Sequence, residues 1–395
     1  MNKCSNFFPA VGSALMVLAG LAGAPAFAQN CEVKVGAAGP MSGGAAAYGL
    51  AVKAAAEFQA ALVNEAGGLQ VGGQKCMVKV LSFDSLYTAA GGAAAGNYFA
   101  SQGIHAVLGP VGAPEISGFR DVAKRNGEVS FNMTYNVEAI GPNYPLTFHM
   151  LQAPPVWGPI MIKSALDRYK FKTAVLVGAN DQGGTDGTKA LAKMYRDLGV
   201  TSDEEYYQRG TMDFSPIATR IMNLHPDVVE IATMPPVDQS ILIKRLVEAG
   251  FQGTIGSLGG AGEKPLNDGF GGAENIKNAF WLLLFPTENP TVPKLQADYA
   301  RLMTIPLPTT PHFYVAQTSM ELILKAISIA GTDKDGEKIA QALRTMPLES
   351  RYFGKLGWRG KAQYGINQEL TFPPGLGGYQ NGKRLPVEAV EIPTE

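Results

Sequence analysis

A strand, a glycine-rich loop and a helix follow one another between residues 31 and 68. The apolar run at 33–36 is typical of a strand with both faces covered. After the loop, apolar residues recur from Leu50 onward at steps of three and four, which indicates one face of a helix. This order opens a βαβ unit, and in open α/β sheets ligands bind beyond the carboxyl ends of the strands. We therefore predict that the loop leading to Tyr48 forms one wall of a binding site.

Residues 1–28 have the pattern of a secretory signal peptide. Lys3 precedes an apolar run at 11–21, and Ala26-Phe27-Ala28 is a small-x-small cleavage site. The apolar run is shorter than the roughly 20 residues that a membrane-spanning helix needs. We predict cleavage after Ala28 and a periplasmic protein with no later membrane span.

The charge balance and the histidines limit the possible partners and cofactors. The chain has 33 basic and 34 acidic residues, a formal net charge of −1. A near-neutral surface argues against nucleic acid or an anionic membrane as the main partner. The four histidines are far apart in the sequence and form no metal-binding motif. We expect a monomer with no metal and no cofactor.

Cys31 and Cys76 stand in matching sequence frames. Each lies two positions before a Val-Lys-Val triplet. If these two strands pair in parallel and in register, the sulfurs face each other, and cysteine pairs in exported proteins usually oxidise. We predict a disulfide; the alternative is a pair of buried thiols.

Strand and helix patterns alternate along most of the chain. One series runs to about residue 132, and the pattern restarts near 152 and continues to 285. Helical patterns follow to 345, and the end is β-rich, with a two-residue hairpin signal at Asn381-Gly382. We predict two α/β lobes joined by short crossovers. The first comprises 29–150 plus 285–360, and the second comprises 151–284 plus 361–395.

Motifs of common enzyme classes are missing from the sequence. It contains no GxSxG elbow, no P-loop and no GxGxxG after a strand. Its distinctive feature is a set of glycine- and proline-rich loops after successive strands, at 39–48, 109–114, 133–136, 179–184, 233–236 and 257–262. Loops of this kind that face each other across a cleft form a small-molecule pocket.

Several stretches, in their order and spacing, carry a family resemblance. They are GAAGPMSGGAAAYG, NEAGGLQVGGQK, GPVGAPE, SFNMTYNVEAI, LVEAGFQG and KAISIAGTDKDGEKIAQAL. The chain resembles the exported solute-binding proteins of branched-chain-amino-acid-type ABC transporters over nearly its whole length after residue 28. The resemblance implies a type I periplasmic-binding fold, in which two doubly wound parallel-sheet lobes are joined by three crossovers and close on a ligand. It also implies a small-molecule ligand, a membrane ABC permease as partner and no catalysis.

The loops depart from the amino-acid-binding members of that family. Those members resemble Ser-Ser-Thr at 112–114 and carry Ala-x-Thr-type chemistry at 134–136, where this chain has Gly-Ala-Pro and Thr-Tyr-Asn. They also have an acidic residue near 259–262 and a tyrosine near 181–184, where this chain has glycine, alanine and polar residues. We therefore predict that a carboxylate without an amine, with an aromatic or branched apolar body, binds more tightly than leucine, isoleucine or valine; an amino-acid ligand is the alternative.

Each predicted contact has a physical role. Backbone N–H groups at 111–113, ahead of a helix, are expected to hold the anionic head group. Tyr48 and Tyr135 offer ring faces and hydroxyls, and Met234 offers an apolar contact. Trp157 and Trp281 are interpreted as packing residues. The predicted ligand-binding residues are Tyr48, Val111, Gly112, Ala113, Thr134, Tyr135, Asn136, Asp181, Gly183, Met234, Gly260 and Ala261.

Two other functions stay open at this point. A secreted α/β hydrolase or lyase remains an alternative because catalytic triads assemble in space rather than in sequence. A periplasmic ligand sensor for a membrane receptor would use the same fold and pocket. The sequence does not name the ligand.

Overall fold

The computed structural model describes residues 31–136, 138–259, 261–285 and 288–392. The predicted signal peptide lies outside the described residues. The strands, in chain order, are β1 (Glu32–Gly39), β2 (Leu69–Val71), β3 (Gln74–Asp84), β4 (Ala106–Val111), β5 (Val129–Met133), β6 (Thr147–His149), β7 (Thr173–Ala179), β8 (Thr201–Tyr207), β9 (Val228–Thr233), β10 (Thr254–Ser257), β11 (Ala279–Leu283), β12 (Glu349–Ser350), β13 (Gly354–Lys355), β14 (Gly357–Arg359), β15 (Glu369–Thr371), β16 (Gly375–Gln380), β17 (Lys383–Arg384) and β18 (Glu388–Ala389).

Helices occupy most of the connections between these strands. None of the described helices is long and apolar enough to cross a membrane. The helices are α1 (Ala46–Glu65), α2 (Ala89–Ser101), α3 (Ala113–Asn126), α4 (Pro154–Tyr169), α5 (Gln182–Asp197), α6 (Ser215–Leu224), α7 (Pro236–Glu248), α8 (Lys264–Phe270), α9 (Val292–Leu302), α10 (His312–Ala330), α11 (Gly336–Thr345) and α12 (Lys361–Tyr364).

The strands form two main sheets, one in each lobe. The first has the order β14-β15-β6-β5-β4-β1-β3-β2, and the second has the order β17-β16-β11-β10-β9-β7-β8, with β18 paired to β16. In the first sheet, the neighbouring strands β3, β1, β4, β5 and β6 pair in parallel. In the second sheet, the neighbouring strands β8, β7, β9, β10 and β11 pair in parallel. The chain passes between the sheets after β6, after β11 and after β15, which confirms two lobes joined by three crossovers.

Helices cover both faces of the first sheet. Successive side chains of a strand point to opposite faces. In β1, Val33 and Val35 pack in the core that contains Phe58 of α1. Ala38 faces the other way and packs with Phe99 of α2. From Val35 onward this strand is therefore buried on both sides, as its apolar residues predict.

The second sheet is covered in the same way. Leu176 of β7 packs in the core that contains Tyr195 of α5. Its neighbour Val177 packs on the opposite face with Ile217 of α6. Both lobes are therefore doubly wound, with the carboxyl ends of their parallel strands free of covering helices.

Most predicted elements are present, and the differences are local. The hairpin at Asn381-Gly382 joins β16 to β17 as predicted. The sequence analysis did not predict β2, β6 or α8, which are short. β15 pairs with β6 in the first sheet, so 369–371 does not follow the predicted division, which assigned 361–395 to the second lobe. The antiparallel pairing of β14 with β15 keeps both strands in the first sheet. The chain therefore crosses from the first sheet to the second between β15 and β16.

Cys31 and Cys76 form a disulfide, which confirms the prediction. Glu32 pairs with Met77 in the parallel β1–β3 ladder, so the preceding residues lie side by side. The matched Val-Lys-Val frames are in register, with Val33 opposite Val78. The bond therefore ties the amino ends of two adjacent strands.

We expect the Cys31→Ala/Cys76→Ala double variant to lose about 4 kcal/mol of unfolding free energy, because the disulfide closes a loop across a sequence separation of 45 residues and restricts the unfolded chain. Urea unfolding of the mature protein measures this loss. The wild-type protein under reducing conditions is the control and should lose a similar amount. An unchanged unfolding midpoint in both samples would contradict the prediction.

Candidate functional site: a pocket between the two lobes

A pocket lies where the carboxyl ends of the two parallel sheets face each other. It encloses about 580 Å³ of non-atom space, part of which is open to solvent. Loops after β3, β4 and β5 contribute from the first lobe, and loops after β7, β8, β9 and β10 contribute from the second. The lining residues are Tyr48, Tyr87, Val111, Gly112, Met133, Thr134, Tyr135, Leu151, Gly183, Gly184, Arg209, Thr233, Gly259 and His312.

The two lobes contact each other across this pocket. The Tyr48 hydroxyl, on α1 of the first lobe, donates to the Met234 carbonyl of the second lobe at 2.9 Å. The Asn136 amide donates to an Asp186 carboxylate oxygen at 3.1 Å. The structure therefore has the lobes close enough to bond directly, which is the arrangement needed to enclose a solute.

Tyr87 enters the pocket from the loop after β3. Its backbone and that of Leu86 have positive φ angles of 57° and 55°, a region that non-glycine residues rarely occupy and that is common at functional sites. The Asp84 carboxylate accepts from the Leu86 amide at 3.0 Å, which holds the turn. A Cβ atom on Gly112 would come within 2.3 Å of the Tyr87 ring, and one on Gly183 within 2.6 Å of its hydroxyl. Glycines in both lobes thus make room for this side chain.

Arg209, from the loop after β8, is the cationic side chain of the described lining. Its Nε donates to Asp181 Oδ2 at 2.7 Å, and its guanidinium carbon lies 5.0 Å from the centre of the Tyr87 ring. Burial lowers the Arg209 pKa, but the neighbouring Tyr87 and Asp181 outweigh this effect, so the pKa is raised overall. The guanidinium is therefore charged and held between the two lobes.

The remaining titratable groups of the lining are neutral. Burial raises the pKa values of Tyr48, Tyr87 and Tyr135, so their phenols keep their protons. Burial lowers the pKa of His312 to about 4. The His312 Nδ1 lies 2.7 Å from the Thr310 hydroxyl, and its ring meets the Tyr48 ring edge-on at 5.0 Å. At neutral pH these groups offer hydrogen bonds without charge.

Acidic side chains near the pocket are engaged by protein partners. Asp181 binds Arg209. Glu263 accepts from Arg384 at 2.9 Å and from the Tyr379 hydroxyl at 2.7 Å. No carboxylate belongs to the described pocket lining. The described lining therefore contains one cationic side chain, paired with Asp181 behind it, and no acidic side chain.

Six of the predicted ligand-binding residues line the pocket, and five described ones do not. Tyr48, Val111, Gly112, Thr134, Tyr135 and Gly183 line it. Ala113 and Ala261 have buried side chains outside the lining, and Asp181 acts on the pocket through Arg209. Asn136 contributes the contact with Asp186 instead. Gly260 lies outside the described residues.

Met234 requires a correction. Its side chain is fully buried in the core of the second lobe, with Ile231 and Leu242, because it follows the central strand β9 directly. Only its carbonyl faces the first lobe, as the acceptor of Tyr48. Trp157 and Trp281 are both buried, in agreement with their interpretation as packing residues.

The predicted anion site at 111–113 also requires correction. The Val111 amide donates to Glu115 Oε2 at 3.3 Å, and the Gly112 amide donates to the Met133 carbonyl at 2.8 Å. Burial raises the pKa of Glu115 to about 8, so its carboxyl is mainly protonated at neutral pH. These two donors are occupied within the first lobe, and the positive charge of the pocket comes from Arg209 instead.

Sequence reasoning missed eight lining residues, two of them because their loops were not considered. It considered the glycine- and proline-rich loops and left out the loops after β3 and β8, which supply Tyr87 and Arg209. Treating the carboxyl end of every strand as a candidate would have found both. His312 begins α10, far along the chain, and no local pattern points to it. The other missed residues are Met133, Leu151, Gly184, Thr233 and Gly259.

Comparisons with known proteins agree with this architecture. The sequence model of the periplasmic binding protein family matches residues 32–371. The chain is 24% identical over 347 residues to the leucine-, isoleucine-, valine-, threonine- and alanine-binding protein of Pseudomonas aeruginosa. The aligned region covers 87% of this chain and 90% of that protein.

Two solved structures illustrate the shared fold. The branched-chain amino acid transporter substrate-binding protein of Streptococcus pneumoniae, in complex with isoleucine, aligns with a TM-score of 0.74 and 20% identity, over 91% of this chain and 99% of that one. An ABC transporter solute-binding protein of R. palustris, in complex with 4-hydroxybenzoate, aligns with a TM-score of 0.73 and 19% identity, over 91% and 97%. The family match shows that the chain belongs to the periplasmic binding protein family, and the solved structures show the type I fold, with similarity to branched-chain amino acid binding members.

Proposed function

We propose that this protein captures a small organic carboxylate without an amino group between its lobes and delivers it to a membrane ABC permease. The observation that carries the proposal is the charge of the pocket. Arg209 lines it, whereas no acidic side chain does among the described residues. We also infer that residues 1–28 are removed on export, that the mature protein works in the periplasm, and that it does not change its ligand chemically.

The guanidinium is suited to a carboxylate. Arginine presents several N–H donors in a planar fork that matches two carboxylate oxygens. The contact with Asp181 uses Nε, so the terminal Nη groups are the donors to offer to a ligand. The Arg209 side chain is only 13% exposed, and a bond made there competes little with water.

An α-ammonium has no matching partner in this lining. Burying a charge without a counter-charge costs several kcal/mol. Asp181 already neutralises Arg209, and Glu263 is held by Arg384 and Tyr379. A carboxylate that lacks the amine avoids this cost.

The rest of the lining suits an apolar ligand body. Val111, Met133 and Leu151 are aliphatic, and the rings of Tyr48 and Tyr135 add aromatic faces. Such surfaces bind aromatic or branched carbon skeletons through apolar burial and ring contacts. Bound isoleucine in one relative of this fold and bound 4-hydroxybenzoate in another show that the fold alone does not decide the ligand class.

Amino-acid binding is the second candidate function. The Pseudomonas aeruginosa relative is named for leucine, isoleucine, valine, threonine and alanine, and it covers most of this chain. That similarity favours an amino acid, whereas the side chains of the pocket favour the amine-free acid. Matched ligands separate the two.

We expect 3-phenylpropionate and 4-methyl-2-oxopentanoate to bind more tightly than phenylalanine and leucine, their amino-acid counterparts, because only the latter bury an ammonium. Isothermal titration calorimetry of the mature protein measures each pair. If the amino acid binds more tightly in both pairs, the pocket supplies a counter-charge and the amino-acid function is correct.

We expect Arg209→Gln to weaken 3-phenylpropionate binding by about 10- to 100-fold, since a hydrogen bond to a charged group contributes about 1.5–3 kcal/mol. Arg220→Gln is the matched control: this exposed arginine of α6 pairs with Glu205 at 3.0 Å and should leave the affinity unchanged. The Arg209→Gln/Asp181→Asn double variant, which leaves no uncompensated carboxylate, should bind as weakly as Arg209→Gln. Full affinity in the double variant would contradict the role of Arg209.

We expect the lobes to open without ligand and to close on it, because direct contacts such as the Tyr48–Met234 hydrogen bond join them only when they are close. Small-angle X-ray scattering should give a smaller radius of gyration in the presence of saturating 3-phenylpropionate. Equimolar phenylalanine serves as the comparison. An unchanged radius at confirmed saturation would rule out hinge closure.

A further inference from the structure

The Tyr135 hydroxyl has no hydrogen-bond partner in the described part of the protein. The oxygen is buried, and its residue lines the pocket. Tyr48, another tyrosine of the same pocket, already donates to the Met234 carbonyl. Buried polar groups in folded proteins are nearly always hydrogen-bonded, so an isolated hydroxyl on a residue that lines a binding pocket points to a ligand group.

The surroundings of Tyr135 hold its ring in place. The ring packs edge-on against the buried Trp157 at 6.2 Å between centres. On the side of the second lobe, a Cβ atom on Gly187 would lie 3.7 Å from the Tyr135 ring. Tyr135 thus reaches from the first lobe against two elements of the second, α4 and α5, and these contacts fix the position of its ring.

Tyr135 and Arg209 line the pocket from different lobes. Tyr135 follows β5, whereas Arg209 packs on Tyr87, which follows β3. β4 and β1 lie between β5 and β3 in the sheet. With neighbouring strands about 4.8 Å apart, the ends of β5 and β3 are separated by roughly 14 Å, and the Tyr87 ring reaches back from β3 to Gly112 after β4. Val111, Met133, Leu151 and the Tyr48 ring belong to the same lining.

We propose that the ligand is bipolar: besides its carboxylate at Arg209, it carries a second polar group, a hydroxyl or carbonyl, and this distal group exchanges a hydrogen bond with the Tyr135 hydroxyl. The carboxylate end rests on the proposed function, whereas the distal end rests on Tyr135 alone. The substrate class is therefore that of hydroxylated or oxo-substituted carboxylic acids.

The chemical state of Tyr135 fits this role. Burial raises its pKa, so the phenol stays protonated at any physiological pH. A protonated phenol both donates and accepts, and it can therefore serve a hydroxyl or a carbonyl. A site that hydrogen-bonds a ligand group also discriminates against analogues that lack the group, because the protein side is then left unsatisfied.

The test uses two probes that differ by one oxygen, 3-(4-hydroxyphenyl)propionate and 3-phenylpropionate. We expect calorimetry on the wild-type mature protein to show about fivefold tighter binding of the hydroxylated probe, the size of one ordinary hydrogen bond. Tyr135→Phe should abolish this preference. Tyr48→Phe, the matched control, removes a hydroxyl that already has a protein partner, so it should weaken both probes by the same factor and keep their ratio.

Three outcomes would overturn the proposal. One is equal binding of the two probes by the wild-type protein, and another is a preference that survives in Tyr135→Phe. The third is a lower thermal unfolding midpoint of ligand-free Tyr135→Phe, which would mean that the hydroxyl has a structural partner within the protein. If both probes bind but the wild-type protein does not prefer the hydroxylated one, the proposed function stands and only the bipolar ligand fails. If neither probe binds even at millimolar concentrations, the proposed function and the bipolar ligand both fail.

Discussion

Parallel strands end at the same edge of a sheet, so their order decides which loops become neighbours. In the first lobe, the order β5-β4-β1-β3 places the loops that carry Tyr135, Val111 and Tyr87 along one edge, with Tyr48 on the helix after β1. The second lobe presents its own strand ends opposite, with Arg209 after the edge strand β8. The pocket is the space between these two edges, and its polarity follows from which side chains the loops carry.

The electrostatics of the pocket depend on one buried contact that spans both lobes. Asp181 and Arg209 come from the second lobe, and the Tyr87 ring comes from the first. The arrangement needs glycine at 112 and 183, because a Cβ atom at either position would collide with Tyr87. Small residues in these loops are therefore a steric requirement of the aromatic ring.

Glycine-rich loops identify a pocket without identifying its donors. The amides at 111 and 112 precede a helix, as an anion site would require, but Glu115 and the Met133 carbonyl accept from them. Burial keeps the Glu115 carboxyl mainly protonated at neutral pH, so it can remain inside the lobe. The amides of Val111 and Gly112 are thereby satisfied internally, and the cationic side chain of the described lining is Arg209, on the other side of the pocket.

The sequence by itself determined the alternation of strands and helices, the two-lobe organisation and the disulfide, because local periodicity and two matched Cys-x-Val-Lys-Val frames carry that information. It also indicated six residues of the pocket, since their loops have unusual composition. Only the tertiary structure decided that Tyr87, Arg209 and His312 join them, because these residues lie in ordinary sequence and meet through strand order and lobe contact. The tertiary structure likewise decided that the Met234 side chain belongs to the core. A side chain directly after a central strand can point either to the cleft or toward the helices that cover the sheet. The packing of β9 against α7 places Met234 among those helices.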